Sequence, residues 1–582
     1  MKAGDQFRII ELLPLEAGHD PEAPVVCRTV VASLSDDDLD YEAVSYVWGD
    51  GKDRANVVVD DRPVDISASL DILFRRLRRP GRTRRVWVDQ LCIDQTDVAE
   101  KTAQIKVMGD IYAKCTNCLI WMGTVPDSVS ASDVEAMIQL LRYMATPDLW
   151  DVPQCLGSRE AFTKIFDVLF LIHPDGNSWW KRIWTVQELM LPEKRTVLWG
   201  QHELLWTVMM RAIHTWTTVW LQPLHNVMSQ EQFDSMNVLS ANVVWASYSA
   251  HKDLPSILVN KWRRRQATDP RDKVFGLRGL VLPTVALTYT DRCTTATPAA
   301  DVFSALTLDA ILAEGSLQPL VLNPRRTEPG TATDDVPGWT MDLKGADQGA
   351  ADMFYRDWGY RHYNACQSRP LDRDLMQATV HANGGSTRVL AVPGVKVEEI
   401  RVISPEQCVA PQTDEQISEK LKGWFKLAAD YRRENLSLAA DAQFEESCWR
   451  LVLADLLEVA NDKSPSRLPD PEDLELARRF AMEGQRERGR LWIKEHHMPS
   501  SLFNMAFFVT ESGMMGMAPT DTVLGDQIWI LDGGKFPFVL RPRQGGGTNE
   551  FDFLGCCYAQ GIMFGEFFEQ NGDVQSSTLY LH

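Results

Sequence analysis

The stretch Arg84-Arg85-Val86-Trp87-Val88-Asp89-Gln90-Leu91-Cys92-Ile93-Asp94-Gln95 decides the fold. Up to Asp89 it is a short apolar run, the pattern of a strand covered on both faces. From Asp89 it is a polar cluster. α/β sheets bind ligands outside the carboxyl ends of their strands, so residues 89–95 form a candidate binding loop. The alternative is that Asp89, Asp94 and Gln95 hydrogen-bond the loop itself.

Working outward, the neighbouring segments alternate between strand and helix. Upstream, Leu70, Leu73, Phe74 and Leu77 repeat with helical spacing, after Ser67 or Ser69 as cap and before Pro80-Gly81 as stop. Residues 57–60 and 62–65 read as a hairpin around Asp61. Tyr41-Glu42-Ala43-Val44-Ser45-Tyr46-Val47-Trp48-Gly49-Asp50 reads as a buried strand ending at a glycine loop, and residues 7–13 and 25–32 as further strands. Downstream, Asp97 with Glu100 has capping-box spacing, and the helix it opens turns Ile105, Met108 and Tyr112 inward. Residues 118–123 make a third strand, 133–143 and 159–171 further helices, and 194–199 one more strand. Strand–helix alternation predicts a parallel sheet flanked by helices.

One segment of this region carries a chemical signal, Ser178-Trp179-Trp180-Lys181-Arg182-Ile183-Trp184-Thr185-Val186-Gln187-Glu188-Leu189. Read as one helix, it stacks Trp180, Trp184 and Glu188 on one face at i, i+4 and i+8. A carboxylate beside large apolar rings is desolvated, which tunes it for chemistry or for gripping a ligand hydroxyl. The competing reading is a helix that packs its indoles into the core and leaves Glu188 at the rim.

The remainder bounds the answer. At 582 residues the chain needs roughly three or four domains or subdomains. Its 45% hydrophobic and 24% charged content is that of a globular protein. A net charge of −20 argues against broad nucleic-acid or anionic-membrane binding. No secretory signal and no apolar run of about 18 residues is seen, so no membrane span is expected. Eleven scattered cysteines fit reduced thiols in a cytoplasmic protein.

From about residue 205 the pattern is helical and rich in tryptophan (Trp206, Trp216, Trp220, Trp245). Lys261-Trp262-Arg263-Arg264-Arg265 reads as a solvated face or an intramolecular salt-bridge partner. Residues 330–345 suggest a subdomain join, and 461–472 a linker. Short segments at 507–510, 526–531, 536–540, 551–556 and 561–566, separated by glycine turns, predict a small β-barrel. The expected organisation is an α/β domain over 1–205, a helical extension over 206–330, a mixed, mainly helical region over 331–500 and a C-terminal barrel over 501–582.

Familiar catalytic motifs are missing. Cys115-Thr116-Asn117-Cys118 lacks the second ligand pair of a zinc site, and Glu495-His496-His497 stands alone. There is no nucleophile elbow, phosphate loop or dinucleotide fingerprint. A carboxylate enzyme without metal or cofactor remains, with Glu188, Asp89, Asp94 and Glu100 as candidate acids.

The blocks 41–50 and 85–95, the helix Glu100…Gln104…Met108…Ile111-Tyr112, Trp121-Met122-Gly123 and Trp184-Thr185-Val186-Gln187-Glu188-Leu189 resemble, in order, the fungal heterokaryon incompatibility (HET) domain. Asp269-Pro270-Arg271-Asp272-Lys273-Val274-Phe275-Gly276-Leu277 and the C-terminal runs around Pro537 and Gly561 resemble segments that accompany it. The resemblance implies a fold like that of TIR domains and a role in self/non-self recognition and programmed cell death. Many TIR domains cleave the nicotinamide–ribose bond of NAD with one helical glutamate, and Glu188 falls where that residue would. Tyr46, Trp48, Gly49, Asp89, Cys92, Asp94, Gln95, Trp121 and Trp184 are then the expected substrate-binding residues, with NAD as substrate rather than cofactor and self-association or a protein partner completing the site. The alternatives are a non-catalytic recognition module and a HET-like enzyme recruited to small-molecule biosynthesis.

Overall fold

The structure, a computed structural model, describes residues 5–15, 23–49, 52–147, 151–248, 252–322, 336–343, 360–406, 413–438, 440–457, 468–484, 502, 504–572 and 574–582. The readings made for Glu495-His496-His497, for the side chain of Trp245, for residues 461–467 and for 330–335 and 344–345 lie outside these residues. The chain divides into two compact units. The first comprises Met1–Asp253, Lys261–Thr284 and Thr294–Ala296; the second comprises Leu254–Asn260, Val285–Cys293 and Thr297–His582.

The first unit is built on β1 (Gln6–Leu12), β2 (Val26–Ser33), β3 (Glu42–Ser45), β4 (Arg54–Val59), β5 (Arg62–Ser67), β6 (Arg84–Trp87), β7 (Asn117–Trp121), β8 (Arg195–Trp199) and β9 (His202–Leu205). They form one sheet in the order β5-β4-β2-β1-β6-β3-β7-β8-β9. Only its middle, β6-β3-β7-β8, is the expected parallel sheet. Outside it every pair but β2–β4 is antiparallel. Short turns explain part of this: β4 and β5 are joined through Asp60-Asp61, and β8 and β9 through Gly200-Gln201, and a two-residue loop can return a strand only antiparallel.

The parallel centre is apolar on both faces, as its composition demands. Val86, Trp87 and Val88 have no exposed surface, and Trp87 meets Tyr112 edge-on at 5.3 Å. Tyr112 lies on the helix Val98–Lys114, whose Ile105 and Met108 are also buried, and its hydroxyl donates to the Val44 carbonyl at 2.9 Å. Asp97 caps this helix, accepting from the Ala99 and Glu100 amides. Glu100 does not complete the capping box: its carboxylate accepts from Arg8 and from the Asp94 amide instead. Ser67 caps the helix Ala68–Leu77.

Two expected elements are shorter than read. The strand through residue 50 stops at Ser45, and the chain then runs irregularly across the strand ends. Residues 178–189 are not one helix. They form a 3-10 turn, Ser178–Lys181, an extended Arg182, and a helix, Thr185–Met190. The intervening backbone groups bond elsewhere: the Ile183 amide donates to the Gln266 carbonyl and the Gln266 amide to that of Lys181. The helical stack of Trp180 on Glu188 is therefore lost, while the Glu188 amide still reaches the Trp184 carbonyl.

Glycines seat the glutamate helix. A Cβ on Gly109 would lie 2.8 Å from Gly279 Cα, and one on Gly279 would lie 2.7 Å from Gln187 Oε1. The helices Val98–Lys114, Thr185–Met190 and Asp272–Arg278 meet where no side chain would fit. The basic cluster is mixed in character. Lys261 pairs with Asp253 at 3.0 Å, as a salt-bridge partner, whereas Arg263 and Arg265 are buried rather than solvated.

The second unit carries β10 (Leu390–Ile403), β11 (Met505–Thr510), β12 (Met515–Pro519), β13 (Gln527–Leu531), β14 (Pro537–Pro542), β15 (Glu550–Cys556), β16 (Tyr558–Ala559) and β17 (Ser577–Leu581). β13-β14-β15-β17-β10 run in order and β10 pairs back onto β13, which closes a ring. The closing strand lies in the region read as mixed and mainly helical. β10 pairs with β17 through residues 390–394, with β13 through 394–399 and with β11 beyond, so one long bent strand serves three neighbours. The expected strand at 561–566 is a turn leading into the helix Glu566–Asn571, because Gly561 and Gly565 both take positive φ.

Candidate active site

The carboxyl ends of β3 and β6 deliver Ser45, Tyr46, Trp48, Asp89 and Gln90 to one place, and the helix Thr185–Met190 brings Glu188 to it. Glu188 retains 4% of its surface. Its Oε2 accepts a hydrogen bond of 2.5 Å from Ser45 Oγ. Ser45 in turn accepts one of 2.8 Å from Trp179 Nε1. Burial pushes the Glu188 carboxyl up to about 7, with the Asp89 charge adding to it and Arg182 and Ser45 opposing it. A carboxyl at that value holds both protonation states at neutral pH.

Asp89 is the second acid. Trp48 Nε1 donates to both its oxygens, at 3.1 and 2.9 Å, and the Gln90 amide donates at 2.8 Å. Burial raises its pKa against Arg182 and these donors. The Tyr46 hydroxyl lies between Gln90 Oε1, at 3.1 Å, and the Asp89 carboxylate. The Tyr46 carbonyl accepts from Arg182 Nη1 at 2.5 Å. Arg182 is thus tied to the strand end by its backbone partner while its charge faces both acids.

Trp184 opens the helix that carries Glu188 and is half-buried. It donates a hydrogen bond to Asp272, whose carboxyl burial raises to about 6. Trp48 is half-buried too, and both indoles are anchored by their N–H.

The remaining expected site residues sit apart. Gln95 reaches the Asp89 carbonyl at 3.2 Å. Gly49 is exposed with φ +84 and borders the undescribed residues 50–51. Cys92 is fully buried; burial raises its thiol to about 12, and its sulfur accepts from the Val88 amide. Asp94 is exposed and accepts from the Thr96 amide and hydroxyl and from the Asp97 amide, which makes the turn before a helix. Trp121 is buried, with its N–H on Ser69 Oγ at 3.1 Å. Glu100 is occupied by Arg8.

Ser45, Trp179, Gln90 and Arg182 were not singled out from the sequence. Helical spacing selects Trp180 over its neighbour Trp179, and only the break at Arg182 brings Trp179 toward Ser45. Trp180 instead packs against Trp179 and Trp206, at 5.1 and 6.0 Å, below the Arg265 guanidinium. Among the described residues no group of three or more His, Cys, Asp or Glu is placed to hold a metal ion. No helix among them is long and apolar enough to cross a membrane.

An α/β unit with acids at the ends of its parallel strands, and a separate β-barrel unit, define a two-module protein. The family model described as "Heterokaryon incompatibility protein (HET)" matches residues 41–188, and that of the "Het-6 beta-barrel domain" matches residues 492–575. The chain is 24% identical to "Heterokaryon incompatibility protein 6, OR allele" of Neurospora crassa, over 96% of this chain and 94% of that protein. The two family models thus fall one on each compact unit of the chain. No solved structure matches it.

Proposed function

We propose that this protein cleaves the nicotinamide–ribose bond of NAD in the cytoplasm, within a self/non-self recognition system coupled to cell death, with Glu188 as the acting carboxylate. The supporting observation is a buried carboxyl poised near neutrality at the carboxyl ends of parallel strands, flanked by a second acid and a cation. The resemblance to TIR domains, in fold and in the place of this glutamate, points the same way.

In the proposed reaction the C1′–N bond breaks and its electron pair leaves on nicotinamide, which departs neutral. The ribose becomes oxocarbenium-like, and ionised Glu188 stabilises that charge. Water then bonds to C1′ and loses a proton, giving ADP-ribose. Trp48 and Trp184 offer ring faces for nicotinamide or adenine. Self-association, or a protein partner, opens the enclosed site.

The test is nicotinamide release from NAD by the full chain and by Glu188→Gln, with thermal melts to show both folded. Release in wild type and background in the variant is expected. Equal release overturns the reading, and so does a wild type that neither binds NAD in a titration nor releases nicotinamide.

A non-catalytic recognition module is the second reading, favoured by the 4% exposure of Glu188. It expects no turnover and a stable complex with a protein partner.

A further inference from the structure

We infer that Trp179 and Ser45 are positioning residues for Glu188: the indole N–H fills a lone pair of Ser45 Oγ and turns the hydroxyl proton onto Glu188 Oε2, so that Oε1 is the oxygen left to meet a substrate or exchange a proton.

The polarity of this chain follows from donor chemistry. An indole nitrogen donates and never accepts, so the 2.8 Å contact makes Ser45 the acceptor from Trp179. Ser45 has one proton left, and the 2.5 Å contact to Glu188 Oε2 is its partner. The reverse arrangement, in which protonated Glu188 donates to Ser45, makes the hydroxyl accept twice and leaves its own proton without a partner. Ser45 has no exposed surface and Trp179 has 1%, so no solvent relieves that loss. When Glu188 is protonated, its proton therefore resides on Oε1.

The elements around the carboxyl reinforce the arrangement. Tyr46 follows β3, Asp89 follows β6, Tyr112 faces it from Val98–Lys114, Cys118 from β7, and Arg182 from the chain before its own helix. Burial holds Tyr46, Tyr112 and Cys118 neutral. Arg182 and Ser45 are left to favour the ionised form against burial and Asp89. Ser45 is then a lever on the titration of Glu188, and Trp179 acts only through Ser45.

The consequence for catalysis rests on the reading of Glu188 as the acting carboxylate; the relay itself does not. The experiment follows the carboxyl stretch of the full chain by infrared difference spectroscopy against pH, with Glu188→Gln identifying the band. Ser45→Ala is expected to raise the apparent pKa by about one unit, the size of one hydrogen bond to the charged form. Trp179→Phe raises it by less, because Ser45 is then free to rotate and accept. Added to Ser45→Ala, Trp179→Phe gives no further shift, and Ser45→Thr, which keeps the hydroxyl, restores the wild-type value. If Ser45→Ala fails to fold, Ser45→Cys, a near-isosteric weaker donor, is expected to raise the value in the same direction. An unmoved titration in Ser45→Ala or Ser45→Cys overturns the relay, as does a Trp179→Phe shift of equal size with and without the serine. The pH profile of nicotinamide release is measured on the same set. The expected infrared shifts without any release in wild type leave the relay standing and remove the NAD reading.

Discussion

Two buried carboxylates, one in each unit, are held in opposite ways. Asp526, before β13, is 1% exposed and saturated: Arg541 clamps both oxygens at 2.8 and 2.9 Å, and the Val523 amide adds 2.8 Å. Glu188 is 4% exposed and has one hydroxyl donor. A carboxylate with fixed N–H donors and a bidentate cation is held in one place and serves the fold. A carboxyl with little but a serine keeps the freedom to change protonation, which is what chemistry needs. Asp309 is intermediate: it accepts from the Tyr289 and Thr290 amides, yet burial still raises it to about 6. Burial alone therefore does not distinguish function from structure; the donor set does.

The largest expected effect breaks the saturated pair. Asp526→Ala leaves the Arg541 fork and the Val523 amide without their acceptor. It should lower stability by about 3 kcal/mol, read as a shift in the urea midpoint of the barrel unit's transition. A loss under about 1 kcal/mol would place Asp526 among surface pairs and end the contrast with Glu188.

Glu188 should behave in the opposite sense. Its folded pKa, about 7, lies above the ordinary glutamate value, so the folded state holds the proton more tightly. That contribution is complete below about pH 4.3 and is lost as pH rises toward 7. Glu188→Gln does not titrate, so its stability relative to wild type should grow across that window by about 2–3 kcal/mol and then level off. Urea midpoints of both proteins at pH 5 and pH 8 measure it. A pH-independent difference would show that Glu188 does not change protonation across that window.

The next effect is steric. Gly279→Ala places a Cβ 2.7 Å from Gln187 Oε1 and 2.9 Å from Gly109 Cα. One of the packed helices must shift, at about 1–3 kcal/mol. Gln187 precedes Glu188, so the Glu188 titration should move with the loss of stability. Stability lost with an unmoved titration would separate helix seating from the site.

These residues mark how far the sequence could be read. The buried strand at β6, the helix after Asp97 and the acid Glu188 follow from apolar runs, helical spacing and a carboxylate among indoles, all local properties. The segment 178–189 shows where local periodicity fails. Its apolar spacing suits a helix, but residues 181–183 bond to Gln266, more than eighty positions away, and no local pattern encodes that partner. The same break exchanges Trp180 for Trp179 at Ser45. β10 escaped for a related reason. Leu390-Ala391-Val392-Pro393-Gly394-Val395 contains Pro393 and Gly394, which interrupt a strand pattern. In the barrel Gly394 is required, since a Cβ there would lie 2.7 Å from Leu531 and 3.0 Å from the Ile530 carbonyl. Asp94 and Glu100 were legible as acids, but their occupation by Thr96, Asp97 and Arg8 is a tertiary and turn-level fact.

The smallest effect concerns acids that are not buried at all. Asp60 and Asp61 are exposed and take φ of +50° and +61° in the loop between β4 and β5. Both central residues of such a tight loop need the left-handed region, which costs a side-chain-bearing residue about 1 kcal/mol and glycine almost nothing. Asp60 has a further role, accepting from the Thr29 amide at 3.0 Å, whereas Asp61 makes no such bond. Asp61→Gly should therefore raise stability by about 0.5–1 kcal/mol, read as a shift in the urea midpoint. Asp60→Gly should give less, because relief of the backbone is offset by the lost acceptor. A loss at Asp61 would mean that its side chain, not its backbone, governs the turn. A gain would leave three acids in one chain with three separable uses: a turn conformation, a locked ion pair and a titrating carboxyl.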